Sequence, residues 1–315
     1  MQDAARIELS RLDDAPVSTD EIQGIVDDFT RLGAERLGEH LRGMVKSFRD
    51  AVRGGRADGW IAHQGDRALG LAVCTERDGN GRINFIHVLR YCEEEQCAAR
   101  LVRKTVNELR RSQVSRITCE AIVLNCERQI HRAFEELGLR SLERLVMSLD
   151  LPRSLPEPTL PSRYELIPWS DGHMESVIDL IHDANAGTVD QLVYPEMKTL
   201  EGTHRMVQAV RDGATASFDD AASPILLHDG GPCGALLFTR PAPDQGFVAE
   251  MAVAKAHRRK GLGEALLTQA LLTAQGRGVR RVRLGVTKEN VPAVNLYRKL
   301  GFAPEQRVTA HLWEA

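Results

Sequence analysis

The residues with the clearest chemical potential stand in the stretch AHRRKGLGEALLTQALL, from Ala256 to Leu272. Three cations, Arg258, Arg259 and Lys260, directly precede Gly261, Leu262, Gly263 and Glu264, after which the pattern becomes that of an amphipathic helix. The first N–H groups of a helix lack intrahelical acceptors and sit at the positive end of its dipole, so such a mouth can hold an anion. Glycine lets the backbone approach that anion closely, and the cations can add charge-assisted bonds to a phosphate or pyrophosphate. A plain basic turn that starts a surface helix would show the same residues, and this stretch alone leaves both readings open.

Two better-known phosphate motifs fail on spacing. A dinucleotide fingerprint needs Gly or Ala three residues after Gly263, where Leu266 stands, and no G-x-x-x-x-G-K-[ST] run occurs. The chain as a whole adds no further pull toward anions: its 315 residues carry a net charge of -3, which argues against nucleic acid or a membrane surface as partner. A composition of 43% hydrophobic and 27% charged residues is that of a soluble globular protein, with no run long enough for a membrane span and no signal-peptide core at the start. The six cysteines form no C-x-x-C pair and no Cys/His cluster with zinc spacing, so free thiols in a reducing cytoplasm and no metal are expected.

The elements that must position the basic turn come in two similar series. After the segment LPRSLPEPTLPS, with four prolines in twelve residues, the pattern reads strand 164–169, helices near 173–185 and 201–213, and three strand-like runs up to Ala254. The glycine turn and its helix follow, then a strand ending near Thr287, a helix in PAVNLYRKLG, and a last strand near VTAHLWE. Before the prolines the order is nearly the same, with helices near 20–32, 36–53 and 94–111, and a closing strand in LERLVMSLDL. Each half carries an aromatic four residues before a glycine, Phe134 with Gly138 and Tyr297 with Gly301. An internal duplication is expected, divided as 1–150, a stiff linker 151–163, and 164–315.

Together, Arg258, Gly261 and Gly263 and, 27 residues on, the block Asn290, Ala293, Leu296, Tyr297, Lys299, Gly301 and Phe302 resemble the GNAT superfamily of acetyl-CoA-dependent N-acetyltransferases. The resemblance implies an α/β (α+β) architecture of two GNAT-like domains, each a mixed, splayed, largely antiparallel sheet flanked by helices. It implies acetyl-CoA as co-substrate, with the backbone of Met251, Ala252 and Val253 along its pantetheine arm and Arg259 through Glu264 around its pyrophosphate. It further implies that Asn290 bonds the cofactor's amide region, that Tyr297 protonates the departing thiolate, that Glu250 acts as base, and that the Val253 N–H stabilises the oxyanion.

Members acting on ribosomal-protein N-termini often carry a glutamate where this chain has Gly285, which turns the reading toward the primary amine of a small molecule. The first half has RYCEEEQCAARLV at the place of the glycine turn and Phe134 at the place of the tyrosine, so it reads as a degenerate, structural copy. Such a fused copy replaces the second subunit of a dimer, giving a pseudo-dimeric monomer or a homodimer, a tandem layout similar to that of the mycothiol synthase family. The acceptor pocket is expected in 184–202 and in FDDAASP, with Asp190, Tyr194, Glu196, His204, Asp219 and Asp220 as candidates. A non-catalytic acyl-CoA sensor or scaffold and a protein N-terminal or lysine acetyltransferase remain as alternatives.

Overall fold

The computed structural model describes residues 7–37, 49–50, 52, 54–55, 57–90, 96–121, 123–151 and 154–315. The expected acidic run at Glu93, Glu94 and Glu95 and most of the expected helix 36–53 lie outside the described residues. The chain forms two compact units, and neither coincides with a half of the sequence.

Unit 1 comprises the chain up to Leu142 together with Val308–Ala315. Its strands are β1 (Glu8–Arg11), β2 (Asp58–Gln64), β3 (Arg67–Arg77), β4 (Asn80–Val88) and β5 (Arg116–Cys119), hydrogen-bonded in that order. Helix α1 (Thr19–Leu37) packs on β3 and β4, and α2 (Cys97–Arg111) packs on β2, β3 and β4. α3 (Glu127–Glu136) follows β5 and packs against α2. The strand that completes this sheet comes from the far end of the chain, where His311–Glu314 pair antiparallel with β5.

Unit 2 comprises Glu143–Arg307. Its first strand is β6 (Arg140–Asp150), which the sequence pattern assigns to the first half. Next come β7 (Tyr164–Ile167), α4 (Met174–Asn185), the short helix α5 (Asp190–Val193), α6 (Leu200–Arg211), β8 (Ser217–Phe218), β9 (Ile225–His228), β10 (Gly231–Ala242) and β11 (Gln245–Val253). α7 (Leu262–Gly276), β12 (Arg281–Thr287), α8 (Val291–Lys299) and β13 (Ala303–Glu314) complete the chain. The strand order in the unit is β6-β12-β11-β10-β9-β7, with β8 against β10; only β11 and β12 pair in parallel.

The expected boundary at the proline segment therefore needs correction. Residues 143–150 pair in register with β12, from Arg144 opposite Thr287 to Asp150 opposite Arg281. The strand at the end of the chain pairs into the other unit. Each sheet leaves its β5 or β12 edge open, and an open edge takes whichever strand satisfies its backbone groups. Local pattern identifies such strands but not their partners.

The core of unit 2 lies between α7 and α8 and the sheet, with Leu236, Phe238, Leu266, Leu267, Leu271, Val282 and Leu284 almost wholly buried. Leu155 and Leu160 of the proline segment pack on it, so that segment is partly a strap on unit 2. Cys74, Cys97, Cys119, Cys126 and Cys233 are free thiols. Among the described residues no cluster suits a metal, and no helix is long and apolar enough to cross a membrane.

Candidate active site

The site begins where two parallel strands separate. β11 and β12 pair from Gln245–Arg281 to Val248–Leu284 and no further, although β12 continues to Thr287 against β6. Just past the last pair, the register of β11 against β10 skips Ala249, a bulge that turns the strand away. From Glu250 onward, one edge of β11 faces an opening.

Antiparallel geometry decides which backbone groups look into it. The Ala254 N–H donates to the Cys233 carbonyl at 2.9 Å, so on β11 the alternate residues Ala252 and Ala254 bond β10. Met251 and Val253 then face the opening, and the expected role of the Ala252 backbone is corrected by this alternation. Two of the four exposed groups already have partners: the Met251 N–H donates to Glu250 Oε1 at 3.1 Å, and Arg258 Nε donates to the Val253 carbonyl at 3.0 Å.

The glycine turn takes a left-handed course. Gly261, the residue before α7, has φ 79°, and Arg259 has φ 63°, an uncommon conformation for a residue with a side chain. The first helical bond runs from the Ala265 N–H to the Gly261 carbonyl, so the N–H groups ahead of it are the helix's orphan donors. The side chains divide differently from expectation. Arg258 Nη2 donates to the Ala184 carbonyl at 2.7 Å, so this arginine fastens the turn to α4 and to β11 rather than reaching outward. Lys260 Nζ donates to the Tyr164 hydroxyl at 3.3 Å, and Glu264 pairs with Lys299 at 2.5 Å. Arg259 is exposed at the turn. Leu262 is buried beneath it, and Gly263 packs against Leu296.

Glu250 lies on β11 just past its last pair with β12, and Tyr297 lies on α8, near enough for the Glu250 charge to act on its hydroxyl. Glu250 is half-buried, and desolvation pushes its carboxyl up to about 7; a hydrogen bond with Asn185 and the charge of Arg144 act against this, while the charge of Asp190 acts with it. Tyr297 is buried, and desolvation, then the nearby Glu250 and Asp190 charges, raise its hydroxyl well above the usual tyrosine value. It keeps its proton throughout the physiological range.

Asn290 serves first as the cap of α8, its Oδ1 accepting from the Ala293 N–H at 3.4 Å. Its Nδ2 donates to Asp190 Oδ2 at 2.9 Å. The block asparagine is thus tied to Asp190 at the start of α5. Of the other acceptor candidates, Tyr194 joins this group, its hydroxyl accepting from Arg144 Nη2 at 3.1 Å. Asp219 is buried and paired with Arg277 at 3.1 Å, while its Oδ1 accepts the Ala222 N–H. Asp220 pairs with Arg211, His204 lies 3.6 Å from Glu175, and the Glu196 carbonyl accepts from Thr199. Asp219 and Asp220 are thus engaged by arginines of the fold.

Arg144 escapes a reading of the sequence. It lies on β6, outside the second half, with no motif around it. The one signal is Gly285, opposite Val146 on β12: a Cβ there would come within 3.3 Å of Arg144 Nη2. The missing side chain makes room for a guanidinium.

Residues 191–302 match the model of the Acetyltransferase (GNAT) family. The chain is 35% identical over 94 residues to streptothricin acetyltransferase of Streptomyces lavendulae, covering 29% of this chain and 50% of that protein. It is 30% identical over 183 residues to mycothiol acetyltransferase of Saccharomonospora viridis, covering 54% of this chain and 56% of that one. The chain spans about half the length of these curated relatives. In fold, it resembles a GCN5-related N-acetyltransferase from Sphaerobacter thermophilus with TM-score 0.71 at 18% identity, over 98% of this chain and 95% of that one. A tandem GNAT protein from the clavulanic acid biosynthesis pathway superposes with TM-score 0.60 at 18% identity, over 98% of each chain. The stretch that matches the GNAT acetyltransferase family model thus holds the splayed β11 and β12 and the glycine turn, and the fold of the chain is similar to that of a tandem GNAT protein.

Proposed function

We propose that this chain is an acetyl-CoA-dependent N-acetyltransferase that acetylates the primary amine of a small molecule by direct attack in a ternary complex. The observation that carries the reading is the open edge of β11, with Glu250 on it, Tyr297 within reach of the Glu250 charge, and the left-handed Gly261 turn after it. The residues suit acetyl-CoA. The Met251 carbonyl offers a strand-like hydrogen bond to an extended amide arm, and the orphan N–H groups from Arg259 to Glu264 suit a pyrophosphate, with Arg259 as the outward cation. When bound, acetyl-CoA supplies an electrophilic thioester carbonyl and a thiolate leaving group.

The chain's own groups handle the protons. An amine reaches the site as an ammonium ion and must lose a proton before its lone pair can attack. Glu250, held at about 7, is a carboxylate above that pH and still basic enough to take this proton, directly or through water. Tyr297 keeps its proton at physiological pH, so its hydroxyl would serve as the hydrogen-bond and proton donor toward the leaving sulfur of bound acetyl-CoA. The Val253 N–H faces the opening and suits the developing negative oxygen. Unit 1 acts in this reading as a structural copy.

Thiol release from acetyl-CoA in the presence of a panel of small amines tests the proposal. The parent chain is expected to turn over at least one of them, and Glu250→Gln and Tyr297→Phe to bind acetyl-CoA but turn over slowly. Acetyl-CoA binding without acetylation of any small amine, peptide N-terminus or lysine would favour a sensor.

A further inference from the structure

Arg144 is a buried cation whose charge acts on Glu250, and the motifs that carry the resemblance do not include it. Its Nη1 donates to Thr287 Oγ1 at 2.8 Å and to Asp190 Oδ1 at 3.3 Å, its Nη2 donates to the Tyr194 hydroxyl at 3.1 Å, and its guanidinium lies 5.0 Å from the Tyr194 ring centre. Thr287 in turn donates to Asp190 Oδ1 at 2.5 Å. Asp190 therefore accepts from β6, from the end of β12, and from the cap of α8 through Asn290. We propose that Arg144 is a positioning residue for acetyl transfer, which through Asp190 fastens the acceptor segment 186–199 to the end of β12 and sets the charge against which Glu250 works.

This rests on the acetyltransferase reading above. The groups facing Glu250 are Asn185 from α4, Asp190 from α5, Arg144 from β6, Tyr297 from α8 and the Met251 N–H of its own strand. Within that ring Arg144 is the cation and Asp190 the opposing anion. Removing the cation leaves two carboxylates facing one another across a poorly solvated space, which disfavours the base form of Glu250. Removing the Asp190 charge does the reverse. Opposite shifts from two members of one network are not the result of general damage to the fold.

The test is the pH dependence of kcat/KM for the amine in Arg144→Met, Arg144→Lys and Asp190→Asn, beside acetyl-CoA affinity. Arg144→Met is expected to lower kcat/KM at pH 7 by roughly 30-fold or more, to move the ascending limb to higher pH, and to leave acetyl-CoA affinity within about threefold, as expected for a transition-state contribution of about 2 kcal/mol. Asp190→Asn should move the limb to lower pH, and Arg144→Lys, keeping the charge without the fork, should leave the limb in place with an intermediate rate. Limbs unmoved in both Arg144→Met and Asp190→Asn, or acetyl-CoA affinity lost in parallel with rate, would overturn the proposal. Should the parent chain acetylate no amine, hydrogen exchange decides: Arg144→Met must speed exchange in 187–194 while sparing 231–253, and unchanged exchange there rejects the positioning role.

Discussion

The two units carry the same opening in different states of use. β4 and β5 pair in parallel from Asn80–Arg116 to Ile83–Cys119, four residue pairs like β11 and β12, but β5 ends there whereas β12 runs on to Thr287. The register of β4 against β3 skips Asn84, the counterpart of the Ala249 bulge. In that frame Phe85 stands where Glu250 does. Phe85 packs edge-on against Phe29 at 4.9 Å between ring centres, so the space beside the strand holds apolar core rather than a base. Asn125 Nδ2 donates to the Val88 carbonyl at 3.1 Å and so takes the position that Arg258 has at Val253.

The residue before α2 is Gln96 with φ 53°, left-handed like Gly261 but carrying a side chain. Phe134, in the place of Tyr297, stacks on His311 at 4.5 Å, which the exchanged terminal strand brings in. The backbone device persists in both copies. What separates them is the handful of side chains that fill one opening and line the other.

The largest effect is expected from cutting the chain at the proline segment. A protein beginning at residue 151 lacks β6, which exposes the β12 edge and removes Arg144. We expect no acetyl transfer and no cooperative unfolding transition, measured by turnover and thermal melting; a stable, active fragment would break the strand-exchange account. Tyr297→Phe installs the residue of unit 1 in unit 2. It should lower kcat by about 100-fold or more, the scale of a lost general acid, with acetyl-CoA affinity unchanged by titration calorimetry.

Gly261→Gln repeats the unit 1 turn. Holding a non-glycine left-handed costs about 1 kcal/mol, and the side chain crowds the helix mouth. Acetyl-CoA affinity should fall about tenfold with kcat little changed; equal affinity would remove the turn from the cofactor site.

The smallest effect expected is on stability against pH, and it has opposite signs in the two units. Glu250 is pushed up to about 7 from 4.5, so the unfolded chain loses that proton first, and unit 2 loses stability as pH rises from about 4.5 to 7. His311, buried against His131, is pushed down to about 3 from 6.5; the unfolded chain gains that proton first, and unit 1 loses stability as pH falls below about 6.5. Glu250→Gln should therefore raise the melting temperature of unit 2 at pH 8 but not at pH 4.5, in calorimetric scans that resolve the two transitions. Equal effects at both pH values would show that the carboxyl is not desolvated.

The motif residues were legible because their work is local. Gly261 follows from the turn that α7 needs, Asn290 from the cap that α8 needs, and Tyr297 from its register within that helix. Glu250 was reached through a family position, and its raised proton affinity depends on the groups packed around it. The acids at 219 and 220 misled as acceptor candidates because a carboxylate in a loop looks the same in sequence whether it meets a ligand or an arginine; here Arg277 and Arg211 take them.

By itself, the sequence determined most of the element order, the glycine turn and the helix that carries Tyr297, all set by short-range spacing and backbone chemistry. The tertiary structure alone decided which strand closes each sheet and hence that Arg144 stands beside Glu250. It also turned Met251 and Val253, but not Ala252, toward the opening. The physical reason is the same in each case: strand pairing joins residues far apart in the chain, and a strand's pattern states that it pairs without stating with what.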